Sequence, residues 1–293
     1  MHGWIILDKP LGLGSTQAVS AVKRALRQGG YGKAKVGHGG TLDPLATGVL
    51  PIAVGEATKL AGRMLDSDKA YAFTIRFGEQ TDTLDAEGSV VATSPVRPTM
   101  AQIDGVLPRF TGPISQVPPA YSALKVDGTR AYDLARAGEE VVLKSRDVTV
   151  HALHVAADGA GEVTLEAHVS KGTYIRSLAR DIALALGSVG HVTMLRRLKA
   201  GPFDLAHAIS LDKLSQAGMA RELEQILLPL RAGLDDIPAL SLSPDQAGAL
   251  RQGRVLIGIA ADDGPYFACE GDTPVALVSV EGHEARVVRG FNL

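Results

Sequence analysis

Residues 37–51 read Gly37-His38-Gly39-Gly40-Thr41-Leu42-Asp43-Pro44-Leu45-Ala46-Thr47-Gly48-Val49-Leu50-Pro51. Four glycines and two prolines in fifteen residues make a poor helix and a poor strand, so the stretch predicts a loop shaped by backbone chemistry. It carries a single acid, Asp43, and a single imidazole, His38. Two readings of Asp43 follow: an Asx-turn in which the carboxylate bonds its own backbone, or an acid held in one geometry against a ligand. The loop lacks the Gly-Lys-Ser/Thr ending of a phosphate-binding loop, and Gly-His-Gly-Gly is not a dinucleotide fingerprint. His38 has no second His or Cys at ligand spacing, which leaves a metal site unsupported.

Working outward, residues 4–8 predict a buried strand that ends at Lys9-Pro10-Leu11-Gly12. Ser15 or Thr16 is placed to cap a helix carrying Val19, Val22 and Leu26, which Gly29-Gly30 would stop. Residues 69–77 alternate, with Tyr71, Phe73, Ile75 and Phe77 on one face, as a strand with one buried side does. Thr99 and Gln102 form a capping box for a helix reaching about Phe110. Residues 161–170 alternate again, and Ile175, Leu178, Ile182 and Leu186 then share a helix face closed by Gly187. Strands and helices mix without a βαβ rhythm, so the expected class is α+β: a mixed, largely antiparallel sheet with flanking helices. Pro229, Gly233 and Pro238 mark a boundary, and residues 239–293 suit a small β-rich module.

The chain of 293 residues has 30 Lys plus Arg against 32 Asp plus Glu, a net charge of -2 that by itself argues against a polyanionic partner. The distribution argues the other way. Lys9, Lys23, Arg24, Arg27, Lys33 and Lys35 form one group without an intervening acid, and Lys171, Arg176, Arg180, Arg196, Arg197 and Lys199 form another with only Asp181 against it. Either group could be a solvated face, or both could line one surface that faces a polyanion. The tail carries four basic against seven acidic residues. The one cysteine, Cys269, excludes an internal disulfide and a Cys-rich zinc module and reads as a small apolar residue. No signal peptide and no apolar run approaching the ~20 residues of a membrane helix is visible, so a cytoplasmic, membrane-free protein is expected.

The quoted stretch closely resembles the catalytic motif of the bacterial tRNA pseudouridine-55 synthases, the TruB family. Five further segments resemble that family in order: Asp8-Lys9-Pro10-Leu11-Gly12, Lys69-Ala70-Tyr71, Pro118-Pro119-Ala120-Tyr121-Ser122-Ala123-Leu124-Lys125, Lys171-Gly172-Thr173-Tyr174-Ile175-Arg176-Ser177-Leu178, and His191-Val192-Thr193-Met194-Leu195-Arg196-Arg197. The tail is loosely similar to the RNA-binding PUA module. The resemblance implies a catalytic domain over 1–232 with an RNA-gripping insertion at about 115–147, and a PUA-like module over 239–293.

It also implies an isomerisation: uridine 55 in the T loop of tRNA is flipped out, its C–N glycosidic bond is broken, and C5 joins C1′, without metal or cofactor. By resemblance Asp43 is the essential carboxylate, Arg176 its charge partner, and Tyr71 the aromatic face against the base. Tyr174 and Leu195 would line the pocket, His38 would fill the space left by the flipped nucleotide, and Lys9 would be a structural or phosphate-contacting cation. The implied partner is the T stem-loop of tRNA, with a monomer and no obligate protein partner. Two rival functions stay open: a non-catalytic tRNA-binding or folding protein, and a guide-RNA-type synthase acting on other RNA. The absence of a long basic extension in this sequence speaks against the second.

Overall fold

The computed structural model describes residues 1–122, 124–126, 129–137 and 143–293. The chain begins with β1 (Gly3–Lys9), α1 (Ser15–Gln28), β2 (Val36–His38), β3 (Ala46–Val54), α2 (Ala61–Asp66) and β4 (Lys69–Phe77). A hairpin of β5 (Glu79–Thr81) and β6 (Val90–Thr93) follows, then α3 (Met100–Val106) and β7 (Gly112–Gln116). Next come β8 (Lys125–Val126), β9 (Thr129–Arg130) and α4 (Ala131–Arg136), then β10 (Arg146–Gly159), β11 (Glu162–Val169), α5 (Ile175–Ala185) and β12 (Gly190–Ala200). β13 (Phe203–Asp204) and α6 (Leu211–Ala220) complete this part; β14 (Ala239–Ser241), α7 (Pro244–Arg251), β15 (Leu256–Ile257), β16 (Gly264–Glu270), β17 (Thr273–Glu281) and β18 (Glu284–Gly290) form the tail.

The main sheet runs β1-β3-β12-β4-β11-β10-β7, with β2 beside β3 and β13 beside β12. Its pairs are antiparallel except β3 with β12. This is the α+β architecture that the irregular order of elements predicts. The apolar run Trp4-Ile5-Ile6-Leu7 is explained by burial on both faces. Ile5 and Leu7 pack under α1 and α6 with Val22, Leu26 and Leu214, while Trp4 and Ile6 pack with Leu60, Phe203 and Leu230. A third cluster places Phe73, Ile75, Val163 and Leu165 against Ile175, Leu178 and Ile182 of α5. Tyr71 and Leu195 touch both the α1 cluster and the α5 cluster, so they stand at the seam between them.

Two local expectations are corrected. Residues 46–51 are strand rather than loop, because Val49, Leu50 and Ile52 are buried and β1 pairs with β3 from Gly48 to Val54. Gly48 makes this possible: its φ is +99°, and a Cβ there would lie 2.2 Å from the Arg197 carbonyl oxygen. The cap of α1 is Gly14, whose N–H donates to the Gln17 side chain at 2.8 Å. Ser15 instead turns inward, accepting from Leu42 N and donating to Leu42 O, both at 2.8 Å, and so ties the Asp43 loop to the helix. Thr99 does cap α3 with Gln102, as read.

The tail forms a second sheet, β14-β16-β17-β18-β15, with a core of its own around Ala247, Leu250, Val278 and Val280. The segment before it is no exposed linker. Leu230, Leu234 and Ile237 are buried with Trp4, and Phe267 and Phe291 of the tail join the same cluster. The expected insertion at 115–147 leaves β7 and returns in β10; its segment Pro118–Lys125 lies partly outside the described residues.

Candidate active site

Asp43 sits in the turn between β2 and β3, with its side chain 46% exposed. Ala46 N donates to the Asp43 backbone carbonyl at 3.0 Å, so the turn closes through the main chain and the carboxylate is left for another partner. That partner is Arg176 in the first turn of α5: its Nη2 donates to Asp43 Oδ2 at 3.0 Å. Nη2 also donates to the Tyr121 carbonyl at 3.0 Å, while Nη1 donates to the Thr83 carbonyl at 2.9 Å and to Asp85 Oδ2 at 3.2 Å. Arg176 is buried although it starts a helix, where sequence alone leaves it as readily exposed. A planar fork with four acceptors has little freedom, so Asp43 is held from a rigid base.

Asp85 belongs to the same cluster through Arg176. It is buried, and its Oδ1 accepts from Thr83 Oγ1 at 2.6 Å and Glu87 N at 3.0 Å. Its only sequence signal is its place in an acid-rich turn, which is usually a solvated surface. Arg197 belongs by sequence to the second basic group. It is 1% exposed and lies under the loop, donating from Nε to Val49 O at 2.7 Å, from Nη1 to Thr41 O at 3.3 Å, and from Nη2 to Gly40 O at 3.1 Å. A buried cation spent on backbone carbonyls is a loop brace.

A cavity of about 310 Å³ opens above these groups, lined by Asp43, Tyr71, Tyr174, Arg176, Leu195 and Arg197 among others. The β4–β12 register puts Tyr71 opposite Arg197 and Phe73 opposite Leu195, and the parallel β12–β3 pairing sets Leu195 beside Ala46. Tyr174 is the residue before α5, its N–H donating to Gln116 Oε1 at 2.8 Å. Burial raises the Tyr174 phenol above its usual range, with the Arg146 charge opposing, so it stays a neutral donor at pH 7. The pocket thus joins one carboxylate, two guanidinium groups, two phenols and an apolar wall.

Two expected site residues lie elsewhere. Lys9 is fully buried beneath the loop; its Nζ donates to the carbonyls of Leu13 at 2.6 Å, Pro10 at 3.1 Å and Pro44 at 3.4 Å. Burial lowers its pKa to about 8, with Asp43 opposing. Of its two expected roles the structural one applies, since a phosphate has no way to reach it. His38 ends β2 outside the pocket lining and accepts from Gly40 N at Nδ1, 3.4 Å. Burial, with the Arg197 charge adding to it, keeps its pKa below 6.5.

Most of the second basic group is committed, and Lys199 alone of it is exposed without a partner among the described residues. Arg196 pairs with Asp8 at 2.8 Å, Arg180 with Asp181 at 2.8 Å, Lys171 with Asp66 at 3.1 Å, and Arg176 and Arg197 are committed as described. In the first group, Lys23, Arg24, Arg27, Lys33 and Lys35 are exposed and have no ion pair among the described residues.

Residues 27–175 match the model of the TruB family pseudouridylate synthase N-terminal domain, and residues 176–235 match the tRNA pseudouridylate synthase B C-terminal domain. The chain belongs to the TruB family. It is 68% identical to tRNA pseudouridine synthase B of Novosphingobium aromaticivorans, over 100% of this chain and 98% of that protein. With the tRNA pseudouridine synthase B of Zymomonas mobilis the identity is 63%, over 100% of this chain and 96% of the other. Among solved structures, a chain in the crystal structure of a Cbf5-Nop10-Gar1 complex superposes with a TM-score of 0.76 at 26% identity, covering 99% of this chain and 85% of that one. Both TruB domain models thus span the pocket: Asp43, Tyr71 and Tyr174 fall in the first and Arg176, Leu195 and Arg197 in the second. No helix among the described residues is long and apolar enough to cross a membrane.

Proposed function

We propose that this TruB-family chain is a tRNA pseudouridine synthase that converts uridine 55 of the T loop to pseudouridine, with Asp43 as the reacting carboxylate. The observation that carries the reading is the Asp43–Arg176 pair at the floor of a pocket walled by Tyr71, Tyr174 and Leu195. The target base is stacked in the folded T loop, so it must leave its stack to reach this floor. Tyr71 offers a flat face for the flipped ring and Leu195 an apolar wall.

The carboxylate then acts at the ribose, either attacking C1′ or taking the C2′ proton. Both routes need it ionised, and the adjacent guanidinium favours the ionised form and aims it. The N1–C1′ bond breaks, the uracil turns within the pocket, and C5 bonds to C1′. C5 loses its proton and N1 gains one, so the product is an isomer of the substrate and no cofactor enters the balance. Binding rests on phosphate contacts outside the pocket, for which the exposed Lys23, Arg24, Arg27, Lys33 and Lys35 are candidates. The tail sheet is assigned to the same task as a PUA-like module.

The test is tritium release from a tRNA transcript labelled at uracil C5, with the chain as sole protein. Release of one equivalent, mapped to position 55, supports the reading. Binding without release would leave a tRNA-folding protein, and release only with an added guide RNA would leave a guide-directed synthase.

A further inference from the structure

Arg146 opens β10 and faces Gln116 of β7 across the ladder. Its guanidinium is half-buried, and it makes no hydrogen bond or ion pair among the described residues. Its Nε is buried without a partner, and so is Nε2 of Gln116, whose Oε1 is committed to Tyr174 N. Two buried donors with no acceptor among the described residues carry a desolvation cost that nothing described there offsets.

The guanidinium carbon lies 5.9 Å from the centre of the Tyr174 ring. The guanidinium therefore lies beside the residue that walls the catalytic pocket. Arg146 also lines a second groove of about 690 Å³ with Asp66, Asp147, Lys171, Ser170, Gly172 and Leu65. Leu65, Ser170 and Gly172 also line the catalytic pocket, so the two cavities meet along that rim. Lys171 is already paired with Asp66, and Asp147 is exposed to water, which leaves Arg146 as the uncommitted cation of the groove among the described residues.

We propose that Arg146 binds a backbone phosphate of the RNA strand next to the nucleotide seated in the catalytic pocket. A strand that sends one base into the pocket must pass over the shared rim, which brings a neighbouring phosphate to the groove. A guanidinium can stack on a ring by its face and hold a phosphate by its edge at the same time, which an ammonium does not reproduce. Because the same group braces Tyr174, the phosphate would be held from the wall of the pocket, coupling strand position to base position. The assignment rests on the tRNA reading above and names a contact within it.

The test uses a T-arm stem-loop RNA and the full chain, comparing native protein with Arg146→Ala and Arg146→Lys. The measurements are RNA affinity against salt and the single-turnover rate at saturating RNA. Single methylphosphonates are also placed in turn at the phosphates flanking the target uridine. Arg146→Ala should weaken binding about tenfold and lower the salt slope by up to about one unit. Arg146→Lys should keep the slope and recover part of the affinity. One methylphosphonate should weaken the native protein and leave the alanine variant unaffected, since the partner is already gone. Equal losses in both backgrounds would overturn the proposal. So would an unchanged slope with slower chemistry, which would mean that Arg146 only braces Tyr174. If the native chain binds RNA with this Arg146 dependence yet forms no pseudouridine, the reaction assignment fails and the phosphate site stands.

Discussion

Arg176 reaches Asp43 and Asp85 with the two arms of one guanidinium, Nη2 at 3.0 Å from the first carboxylate and Nη1 at 3.2 Å from the second. Asp85 is nearly enclosed, its side chain 12% exposed, whereas Asp43 faces the pocket with 46%. The buried acid and the Thr83 carbonyl hold the cation, and the cation holds the exposed acid at the pocket. Charge in the floor is therefore layered, with the exposed carboxylate outermost.

Asp43→Asn keeps size and hydrogen-bonding reach and removes the charge. Turnover should be abolished while tRNA affinity stays within about tenfold, because phosphate contacts elsewhere carry binding. Tritium release and filter binding check this; residual activity above a few per cent would remove Asp43 from the mechanism.

Arg176→Lys should be nearly as damaging. A point-charge amine cannot reach both carboxylates and the carbonyls of Thr83 and Tyr121 from one position. Asp85→Asn should lower stability by about 1–3 kcal/mol, since it weakens a buried charge-assisted bond. It should also lower the single-turnover rate by roughly a hundredfold, through misplacement of Arg176 rather than contact with the base. A normal rate in Asp85→Asn would show that Arg176 is held well enough without it.

Gly48→Ala should destabilise the chain by at least about 1–3 kcal/mol from the left-handed conformation alone. The Cβ would also press on the Arg197 carbonyl. Because Arg197 braces the Asp43 loop, the melting temperature and the rate should fall together. A variant that melts normally would mean that β3 and β12 part without cost.

His38 bears on acid stability. Its pKa in the folded chain is below 6.5, so both folded and unfolded forms are neutral above that value and it contributes nothing there. As pH falls through 6.5 the unfolded form takes up a proton first, and stability is lost down to the folded pKa. Protonation at Nδ1 would also break the bond from Gly40 N. Native protein should therefore lose more urea resistance between pH 7 and 5 than His38→Gln. Parallel curves would show that the imidazole does not titrate in this window.

Ending the chain at Pro238 should leave an insoluble or much less stable protein, contrary to what a Pro-Gly boundary in sequence suggests. The cut removes Phe267 and Phe291 from a cluster containing Trp4, Leu230, Leu234 and Ile237. Burying side chains of this kind is worth about 1.5–3 kcal/mol each. A soluble fragment 1–238 with an unchanged melt would show that these contacts add little.

Local order in the chain settled much of this protein. Alternation at 69–77 and 161–170, helical spacing after Ile175, and the glycine-rich approach to Asp43 each bind a residue to near neighbours, so each was legible without the fold. The family resemblance carried Asp43, Tyr71, Tyr174, Arg176 and Leu195, and the structure brings these around one cavity. What only the tertiary structure decided is the partner of each charge. Lys9 and Arg197 look like members of basic surface groups, yet both are buried on loop carbonyls, and Asp85 looks like a solvated acid yet lies under Arg176. Arg176 and Asp85 are 91 residues apart and Arg197 and Gly40 157 apart, so their meeting depends on sheet order and register. Charge type is written in a residue, but the dielectric and the partner that give the charge its role come from whatever the fold places beside it.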